Sequence, residues 1–459
     1  MSLPRLLLAS LLLASPALRA AEQCDLDCLL CPGLADPAHY GEGIMKSMKY
    51  VAPGKDTWLF RSEVDLSNDF GIPPAMRPQF KRLMDAFHAR GTQVVIAVQP
   101  TRGIMHRDKV RADSAYGFDF TTARRNLASF LDQLRAGGAV VPDILPLVDS
   151  PPEQDYFFRR DHHWTPAGAM HTARLVADSI RQQPFYADLS KKQYRTEPGV
   201  MVPKDGTMSR ALKKICGNNY GFQYARGFQT VPAGDDLGAL FDEQSSQEVV
   251  LVGTSNSAAR DDDTKNYNFD GYLKEYLSVD ILNVALPGAG QEGALLNYLQ
   301  SADYSPDAPP KLIIWELPAS FRLEDPLMYR QLLPAIAGGC AKGQVLGERK
   351  SELPALPRGQ RYELLSNGGA QRLDLRGKPG FLDIKLADKN LKDFYVIVYY
   401  DNGQRDKQWY RREAIVAGGQ YYLELSQDAA YRDANLLSVF IEPTEDLAAP
   451  VAVETRLCL

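Results

Sequence analysis

The stretch that decides the fold is QVVIAVQP, residues 93–100. Such a continuous apolar run is typical of a strand that is buried on both faces of a parallel sheet. The residues before it predict an amphipathic helix over 78–90, which ends at Gly91. Further strands are predicted at 249–252, 279–285 and 312–316, and further helices at 122–135, 269–277 and 292–301. This alternation predicts an α/β fold in which helices flank a parallel sheet.

A candidate catalytic pair stands in the block RRDHHWTP, residues 159–166. Asp161 and His163 are two residues apart, which is close enough for the carboxylate to hold the Nδ1–H of the imidazole. Thr165 is a favourable N-cap and Pro166 suits the first helical position, so a helix is predicted to continue to residue 181. The pair therefore lies in a loop just before a helix N-terminus, where a site can be assembled.

A candidate nucleophile follows the strand predicted at 249–252, where the motif Gly-Thr-Ser ends in Ser255. Open parallel sheets bind their ligands at the carboxyl ends of the strands. We predict that Ser255 is the nucleophile, that His163 is the general base and acid, and that Asp161 orients the imidazole. No cofactor is expected for this acyl-transfer chemistry.

The glycine-rich turn after the next predicted strand has two interpretations. The backbone N–H groups of Ser255 and of Gly288 or Gly290 are predicted to stabilise the oxyanion of acyl transfer. The spacing Gly288-x-Gly290-x-x-Gly293 also fits a dinucleotide-binding fingerprint, in which Glu316 would bind the ribose. Nicotinamide cofactors are not generally supplied outside the cytoplasm, and this favours the first interpretation for an exported chain.

The histidines also leave a metal site open as an alternative to acyl transfer. Its ligands would be Asp161, His162, His163 and His171. In the acyl-transfer interpretation, the side chain of His162 points away from His163 and has a structural role.

The first twenty residues have the pattern of a secretory signal peptide. Arg5 supplies a positive charge, residues 6–18 are apolar, and a plausible cleavage site precedes Ala21. No other stretch approaches the roughly 20 apolar residues that a membrane span needs. The mature protein is therefore expected to be exported and soluble. The formal net charge of −5 argues against nucleic acid as a general partner.

Six cysteines in an exported chain suggest disulfide bonds. Cys340 and Cys458 bracket the C-terminal part of the chain and are the predicted pair. A bridge that closes so long a loop stabilises a fold by roughly 4–5 kcal/mol in the chain-entropy model. The sequence leaves open the pairing of Cys24, Cys28, Cys31 and Cys216. The spacing Cys28-x-x-Cys31 also allows a zinc or redox site, although neither a second ligand pair nor a preceding strand supports one.

The sequence pattern changes after Cys340. Residues 381–386 and 421–425 alternate with a period of two, and residues 394–400 and 436–441 are rich in aromatic and β-branched side chains. Asp-Asn-Gly at 401–403 and Ser-Asn-Gly at 366–368 are strong turn signals. These features predict a small all-β sandwich. The predicted division is a signal peptide at 1–20, a catalytic domain at 21–338 and a β-sandwich domain at 339–459.

The segment RDKQWYRR, residues 405–412, interleaves cations with aromatic side chains. Aromatic faces stack on sugar rings, and Lys or Arg pair with uronate carboxylates, so this segment is a candidate polysaccharide site. An ordinary solvated strand is the alternative. Tyr267 and Tyr272, which follow Ser255, are candidates for an acceptor groove, although core packing explains them equally well. The residues predicted to bind substrate are Tyr267, Arg405, Lys407, Trp409 and Arg411.

Four blocks of the sequence resemble the AlgX/AlgJ alginate O-acetyltransferases. They are GKDTWLF at 54–60, FRRDHHWTPAG at 158–168, LVGTSNS at 251–257 and LNVA at 282–285. The resemblance spans about residues 58–318 and implies an SGNH-hydrolase-like fold. The cysteine-bracketed β module is similar to the carbohydrate-binding domain of the AlgX-type members.

The resemblance implies an enzyme that transfers acetyl groups to mannuronate hydroxyls of alginate, or of a similar anionic polysaccharide, in the periplasm. The family's nucleophile, base and orienting acid fall on Ser255, His163 and Asp161. The implied partners are the anionic polysaccharide, proteins of the periplasmic secretion complex and an acetyl-donor protein. Two alternatives stay open, namely an acetyl esterase with the same triad and a non-catalytic scaffold that binds the polymer.

Overall fold

The computed structural model describes residues 29–233, 247–369, 372–412, 414–425 and 428–459. The predicted signal peptide lies outside these residues, as do Cys24 and Cys28. Within the described ranges, no helix combines the length and the apolar character that crossing a bilayer requires.

The part of the chain before Cys340 contains strands and helices in alternation. The strands are β1 (Val51–Pro53), β2 (Leu59–Arg61), β3 (Gln93–Gln99), β4 (Tyr194–Lys204), β5 (Gln223–Pro232), β6 (Val249–Val252), β7 (Leu282–Asn283) and β8 (Leu312–Pro318). The helices are α1 (Arg77–His88), α2 (Arg102–Met105), α3 (Phe120–Ala136), α4 (Leu145–Asp149), α5 (Pro166–Arg181), α6 (Thr207–Cys216), α7 (Phe269–Leu277), α8 (Gly293–Leu299) and α9 (Pro326–Ile336).

The central sheet is parallel and has the strand order β3–β8–β6–β7. All of β6 and almost all of β3 and β8 are buried, because helices pack against the sheet and share one apolar core with it. The predicted α/β fold with a flanked parallel sheet is confirmed. The helix predicted after Thr165 is α5, and the Thr165 hydroxyl accepts from the Gly168 N–H as its N-cap.

The strand predicted at residues 279–285 is wrong in its length, since only β7 (Leu282–Asn283) is formed. The side chain of Asn283 explains the early end. Its amide donates to the carbonyl of Ser257 at 2.8 Å and accepts from the N–H of Ala285 at 3.0 Å. These contacts direct the chain toward the loop that carries the candidate nucleophile.

An antiparallel ribbon of β4 and β5, with α6 between the two strands, was not predicted from the sequence. Most of its residues are exposed or half-buried, so neither strand has the apolar run that marks the central sheet. A disulfide joins Cys216, at the end of α6, to Cys31. This bond ties the ribbon insertion to the N-terminal segment and settles a pairing that the sequence left open.

The part of the chain after Cys340 is an all-β module, as predicted. Its strands are β9 (Val345–Leu353), β10 (Tyr362–Ser366), β11 (Phe381–Leu386), β12 (Asp393–Tyr400), β13 (Arg405–Arg411), β14 (Gln420–Glu424), β15 (Leu436–Pro443) and β16 (Val451–Cys458), with one short helix, α10 (Ala429–Arg432). Two antiparallel sheets, β10–β15–β12–β13 and β14–β11–β16–β9, enclose one apolar core. Cys458, at the end of β16, is bonded to Cys340.

Two ion pairs, one of them buried, join the β module to the α/β part. Arg330 of α9 pairs with Asp406 of β13 at 2.6 Å, and both side chains are almost completely buried. Arg82 of α1 pairs with Glu424 at 2.6 Å. Because breaking a buried ion pair leaves an uncompensated charge, the Arg330–Asp406 pair holds β13 in a defined position beside α9.

Candidate active site

Ser255, His163 and Asp161 form a continuous hydrogen-bonded chain. Oγ of Ser255 lies 2.8 Å from Nε2 of His163, and Nδ1 of the same ring contacts Oδ1 of Asp161. The backbone N–H of His163 also donates to this Oδ1, at 2.9 Å, and fixes the carboxylate relative to the ring. The structure thus brings together three residues separated by up to 94 positions, since Ser255 is 92 positions after His163 and His163 is 2 positions after Asp161. Such an arrangement can activate the hydroxyl as a nucleophile.

The N-terminus of α6 holds the carboxylate of Asp161. The backbone N–H of Thr207 donates to Oδ2 at 2.8 Å, where the helix dipole also favours a negative charge. Gly206 permits this approach, since a Cβ at that position would lie 2.0 Å from the carbonyl oxygen of Arg160. Burial, the largest effect, raises the pKa of Asp161, but His163, His162 and Lys204 together outweigh it, and the pKa lies well below its usual value. Asp161 is therefore ionised at neutral pH.

The imidazole of His163 is suited to act as a base. Burial lowers its pKa below the usual 6.5, and the charge of Asp161 opposes that shift without cancelling it. The prediction that His162 points away from His163 is wrong. The centroids of the two rings lie 3.8 Å apart with their planes tilted by 37°, and Nδ1 of His162 is held 2.7 Å from the Thr207 hydroxyl. His162 therefore packs against the candidate catalytic ring.

The two sequence blocks that carry these residues are joined by Trp164 and Asn256. The indole N–H of Trp164 donates to the carbonyl of Asn256 at 2.9 Å, and the Trp164 backbone N–H donates to its side-chain oxygen at 3.2 Å. Both residues are buried. The position of Ser255 relative to His163 is consequently fixed by the residues next to each of them.

The loop that carries the nucleophile is held from below by Glu316, near the end of β8. Its Oε2 accepts hydrogen bonds from the N–H of Thr254 at 2.7 Å, the hydroxyl of Thr254 at 2.9 Å and the hydroxyl of Ser257 at 3.0 Å. A Cβ at Gly253 would lie 2.7 Å from the same oxygen, so the backbone reaches the carboxylate only with glycine here. This role was not predicted from the sequence, and no local pattern marks it.

Ser255 opens into a cavity of about 560 Å³. The cavity is lined by His162, Thr254 and the turn at residues 288–290, and by Arg61 and Arg322 farther from the hydroxyl. Gly288 and Gly290 both have positive φ, at 76° and 74°. The structure therefore places the predicted oxyanion turn beside the candidate nucleophile, in a conformation that favours glycine.

A second cavity, of about 460 Å³, is lined by the same glycine turn. Residues 288–290 line both cavities, and Trp409 and Arg411 of β13 line the second one. The cavity at Ser255 and the cavity lined by the β module therefore have this turn in common.

The predicted polysaccharide-binding residues of β13 share one exposed face of their sheet. Arg405, Lys407, Trp409 and Arg411 alternate with inward-facing neighbours, as a period of two requires. Trp409 is 48% exposed and stacks with Tyr395 at a centroid distance of 5.8 Å. Lys407 pairs with Glu442 at 2.6 Å, so part of its charge is already compensated. Of the four, Trp409 and Arg411 line the cavity that also includes the turn at residues 288–290.

The prediction that Tyr267 lines an acceptor groove is wrong. Tyr267 is 2% exposed, and its ring packs against His163 at a centroid distance of 5.4 Å. Its hydroxyl accepts a hydrogen bond from Lys204. Tyr272 is equally buried. Both tyrosine rings are packed in the apolar core behind the site, so neither is exposed to a groove.

Neither of the two alternative sites is assembled in full. Donor atoms of Asp161, His162 and His163 lie within 4.8 Å of one another, but His171 is not part of this group. Asp161, His162 and His163 also form hydrogen bonds with Thr207 or Ser255. These bonds use side-chain atoms that would otherwise bind a metal. Glu316, the candidate ribose-binding acid, is completely buried beneath the nucleophile loop and cannot reach a dinucleotide.

Comparison with known proteins identifies relatives over most of the chain. Residues 51–319 match the family described as an SGNH hydrolase-like domain, acetyltransferase AlgX, and residues 339–459 match a C-terminal carbohydrate-binding module. The alginate biosynthesis protein AlgX of Azotobacter vinelandii is 35% identical over 99% of this chain and 94% of its own. The probable alginate O-acetylase AlgJ of Pseudomonas aeruginosa is 27% identical over 59% of this chain and 70% of its own.

A solved structure of Pseudomonas aeruginosa AlgX has the same architecture over both parts of the molecule. It superposes with a TM-score of 0.81 at 32% identity and covers 94% of this chain and 99% of its own. The similarity therefore extends from the parallel sheet through the β module.

Proposed function

This chain belongs to the AlgX family of alginate biosynthesis proteins, and we propose that it is a periplasmic O-acetyltransferase that acetylates mannuronate hydroxyls of alginate. The observation that carries the proposal is the 2.8 Å contact between Ser255 Oγ and His163 Nε2, with Asp161 on the opposite ring nitrogen. The SGNH-like domain and its relation to a probable alginate O-acetylase support the class of reaction.

The first half-reaction forms an acetyl-enzyme. His163 Nε2 accepts the proton of Ser255 while Oγ attacks the carbonyl carbon of an acetyl ester or thioester donor. As the tetrahedral intermediate collapses, the bond to the donor breaks and His163 returns the proton to the leaving group. Asp161 stays ionised throughout and stabilises the imidazolium.

The second half-reaction transfers the acetyl group to the polymer. A mannuronate hydroxyl loses its proton to His163 and attacks the acetyl carbon, and Ser255 leaves as its alcohol when the same proton returns. The N–H groups of Ser255 and of Gly288 or Gly290 are assigned to the oxyanion of both steps. Their common place at the catalytic cavity supports this assignment.

The β module is assigned to the acceptor polymer. Trp409 offers an exposed aromatic face for a sugar ring, and Arg411 offers a cation for a uronate carboxylate. Both line the cavity that shares the glycine turn with the catalytic cavity. A chain of sugars bound there would lie next to the turn that also lines the cavity at Ser255. The domain division at 338/339, the secretion-complex partners and the donor protein are further parts of this proposal.

Incubation of the protein with an activated acetyl ester, with and without mannuronate oligomers, tests the function. Acetylated oligomers that form with the wild type but not with Ser255→Ala support acetyl transfer. Free acetate released at a rate that oligomers do not alter indicates an esterase with the same triad. Oligomer binding without any turnover indicates a non-catalytic scaffold, and either of these outcomes overturns the proposal.

A further inference from the structure

Lys204, the last residue of β4, places a buried ammonium group behind the catalytic pair. Its side chain is 8% exposed, and Nζ lies 4.0 Å from Oδ1 of Asp161. Nζ donates to the hydroxyl of Tyr267 and, at 3.0 Å, to the carbonyl of Thr264. The group also lies over the rings of Phe158 and Tyr267, at 5.3 and 4.9 Å from their centroids. The acyl-transfer steps above do not use it.

A cation in this place changes the charge balance of the buried site. Ionised Asp161 next to neutral His163 leaves one uncompensated negative charge in a region of low dielectric constant. That charge favours protonation of the imidazole and so removes the base. The positive charge of Lys204 beside the carboxylate offsets it. Buried Lys residues are rare unless they are paired, and Asp161 is the nearest anionic partner that the described residues give Lys204.

We propose that Lys204 is a positioning residue that supplies the countercharge to Asp161 and thereby keeps the imidazole of His163 in its neutral, proton-accepting form. The inference rests on the proposed function of His163 as the base. Lys204 does not touch the reacting atoms. It acts through Asp161 and through Tyr267, whose ring packs on His163 at 5.4 Å.

The charged groups around His163 agree with this role. Burial lowers the pKa of His163, Asp161 raises it, and Lys204 and Arg61 lower it further. Burial also lowers the pKa of Lys204, against the opposing effect of Asp161. The titratable groups that face the ring from the elements packed around it are Asp161, His162, Lys204, Tyr267 and Arg61. Of these, Lys204 and Arg61 are cations, and Lys204 is the one within 4.0 Å of the Asp161 carboxylate.

The experiment measures the midpoint of His163 titration in variants of Lys204. Lys204→Met and Lys204→Gln remove the charge, and the glutamine amide can still bond to its neighbours. Lys204→Arg retains the charge. Lys265→Met is the matched control, because Lys265 lies close in the chain but is half-exposed and pairs with Asp262. The midpoint is read from the acid limb of small-ester turnover and, independently, from ¹⁵N NMR of His163 in a Ser255→Ala background.

We expect the midpoint to rise by about one pH unit in Lys204→Met and Lys204→Gln, because each removes a unit positive charge from beside the Asp161–His163 pair. It is expected to stay in place in Lys204→Arg and Lys265→Met. An unchanged midpoint in both neutral variants overturns the inference, even if turnover falls. Failure of the proposed function gives a different result, namely no Ser255-dependent turnover in the wild type, while the NMR titration still reports on Lys204. If Lys204→Met does not fold, Lys204→Gln and Lys204→Arg decide the outcome.

Discussion

Glu316 Oε2 accepts a hydrogen bond of 2.7 Å from the backbone N–H of Thr254, the residue before the candidate nucleophile. The carboxylate is completely buried, and burial raises its pKa. One of its oxygens accepts from three donors of the same loop. The nucleophile is thus positioned by the strand beside its own, since β8 pairs with β6 in the central sheet.

Replacing Glu316 by Ala is expected to destabilise the fold and to reduce turnover. Each buried donor left without an acceptor costs about 1–3 kcal/mol, so we expect the free energy of unfolding to fall by about 3–5 kcal/mol. Small-ester turnover is expected to fall at least about tenfold, as the loop loses its anchor. Urea unfolding and ester hydrolysis measure the two effects. Glu352→Ala, which removes an exposed carboxylate of β9, is the control. Equal stability of the two variants would contradict the assigned role.

Gly253→Ala is expected to disturb the same loop from the opposite side. A Cβ there meets Oε2 of Glu316 at 2.7 Å and its Cβ at 2.9 Å, so the carboxylate or the loop must move. Overpacking of this kind costs about 1–3 kcal/mol. Gly41→Ala is the matched control, because Gly41 has φ −75° and a methyl group there would have no heavy atom within 4 Å. Thermal unfolding and ester turnover are compared, and an active, fully stable Gly253→Ala would refute the close approach.

Turnover is expected to depend on the protonation of His163. Because its pKa lies below the usual 6.5, the imidazole is the free base at neutral pH and kcat/KM is constant there. As the pH falls through that pKa, activity falls about tenfold per unit. The unfolded chain carries His163 with its ordinary pKa and binds more protons, so the free energy of unfolding also decreases as the pH falls below about 6.5. The measurement is a pH profile of ester hydrolysis, from which the background rate of Ser255→Ala is subtracted. A midpoint above 6.5 would contradict the lowered pKa of His163.

Trp409→Ala is expected to weaken oligomer binding without changing small-ester turnover. Loss of an aromatic stacking surface costs about 1 kcal/mol, or about a fivefold increase in Kd. Tyr224→Ala is the matched control, since Tyr224 is a 65% exposed aromatic residue on the ribbon, away from β13. Calorimetry with mannuronate oligomers measures both. Equal affinity of the two variants would show that the sugar binds elsewhere.

Much of the fold was predictable because it depends on local patterns. The buried run at 93–100 and its counterpart before Ser255 indicated the parallel sheet, and alternation with tight turns indicated the β module. The ribbon β4–β5 was missed for the same reason, since its exposed strands carry no such run. The prediction for Tyr267 was wrong because the residues around a single aromatic side chain do not show whether it faces the core or the groove.

The sequence by itself determined the class of fold, the family and the residue types of the candidate triad. Asp161 and His163 share one loop, and Ser255 follows a buried strand, so the local sequence predicts the secondary structure around each residue. Only the tertiary structure decided what surrounds them. Thr207 and Lys204 meet Asp161, Glu316 meets Thr254, and Cys31 meets Cys216 across 185 residues. Such contacts join segments whose local patterns are independent, and they arise only when packing brings a buried polar group to its partner.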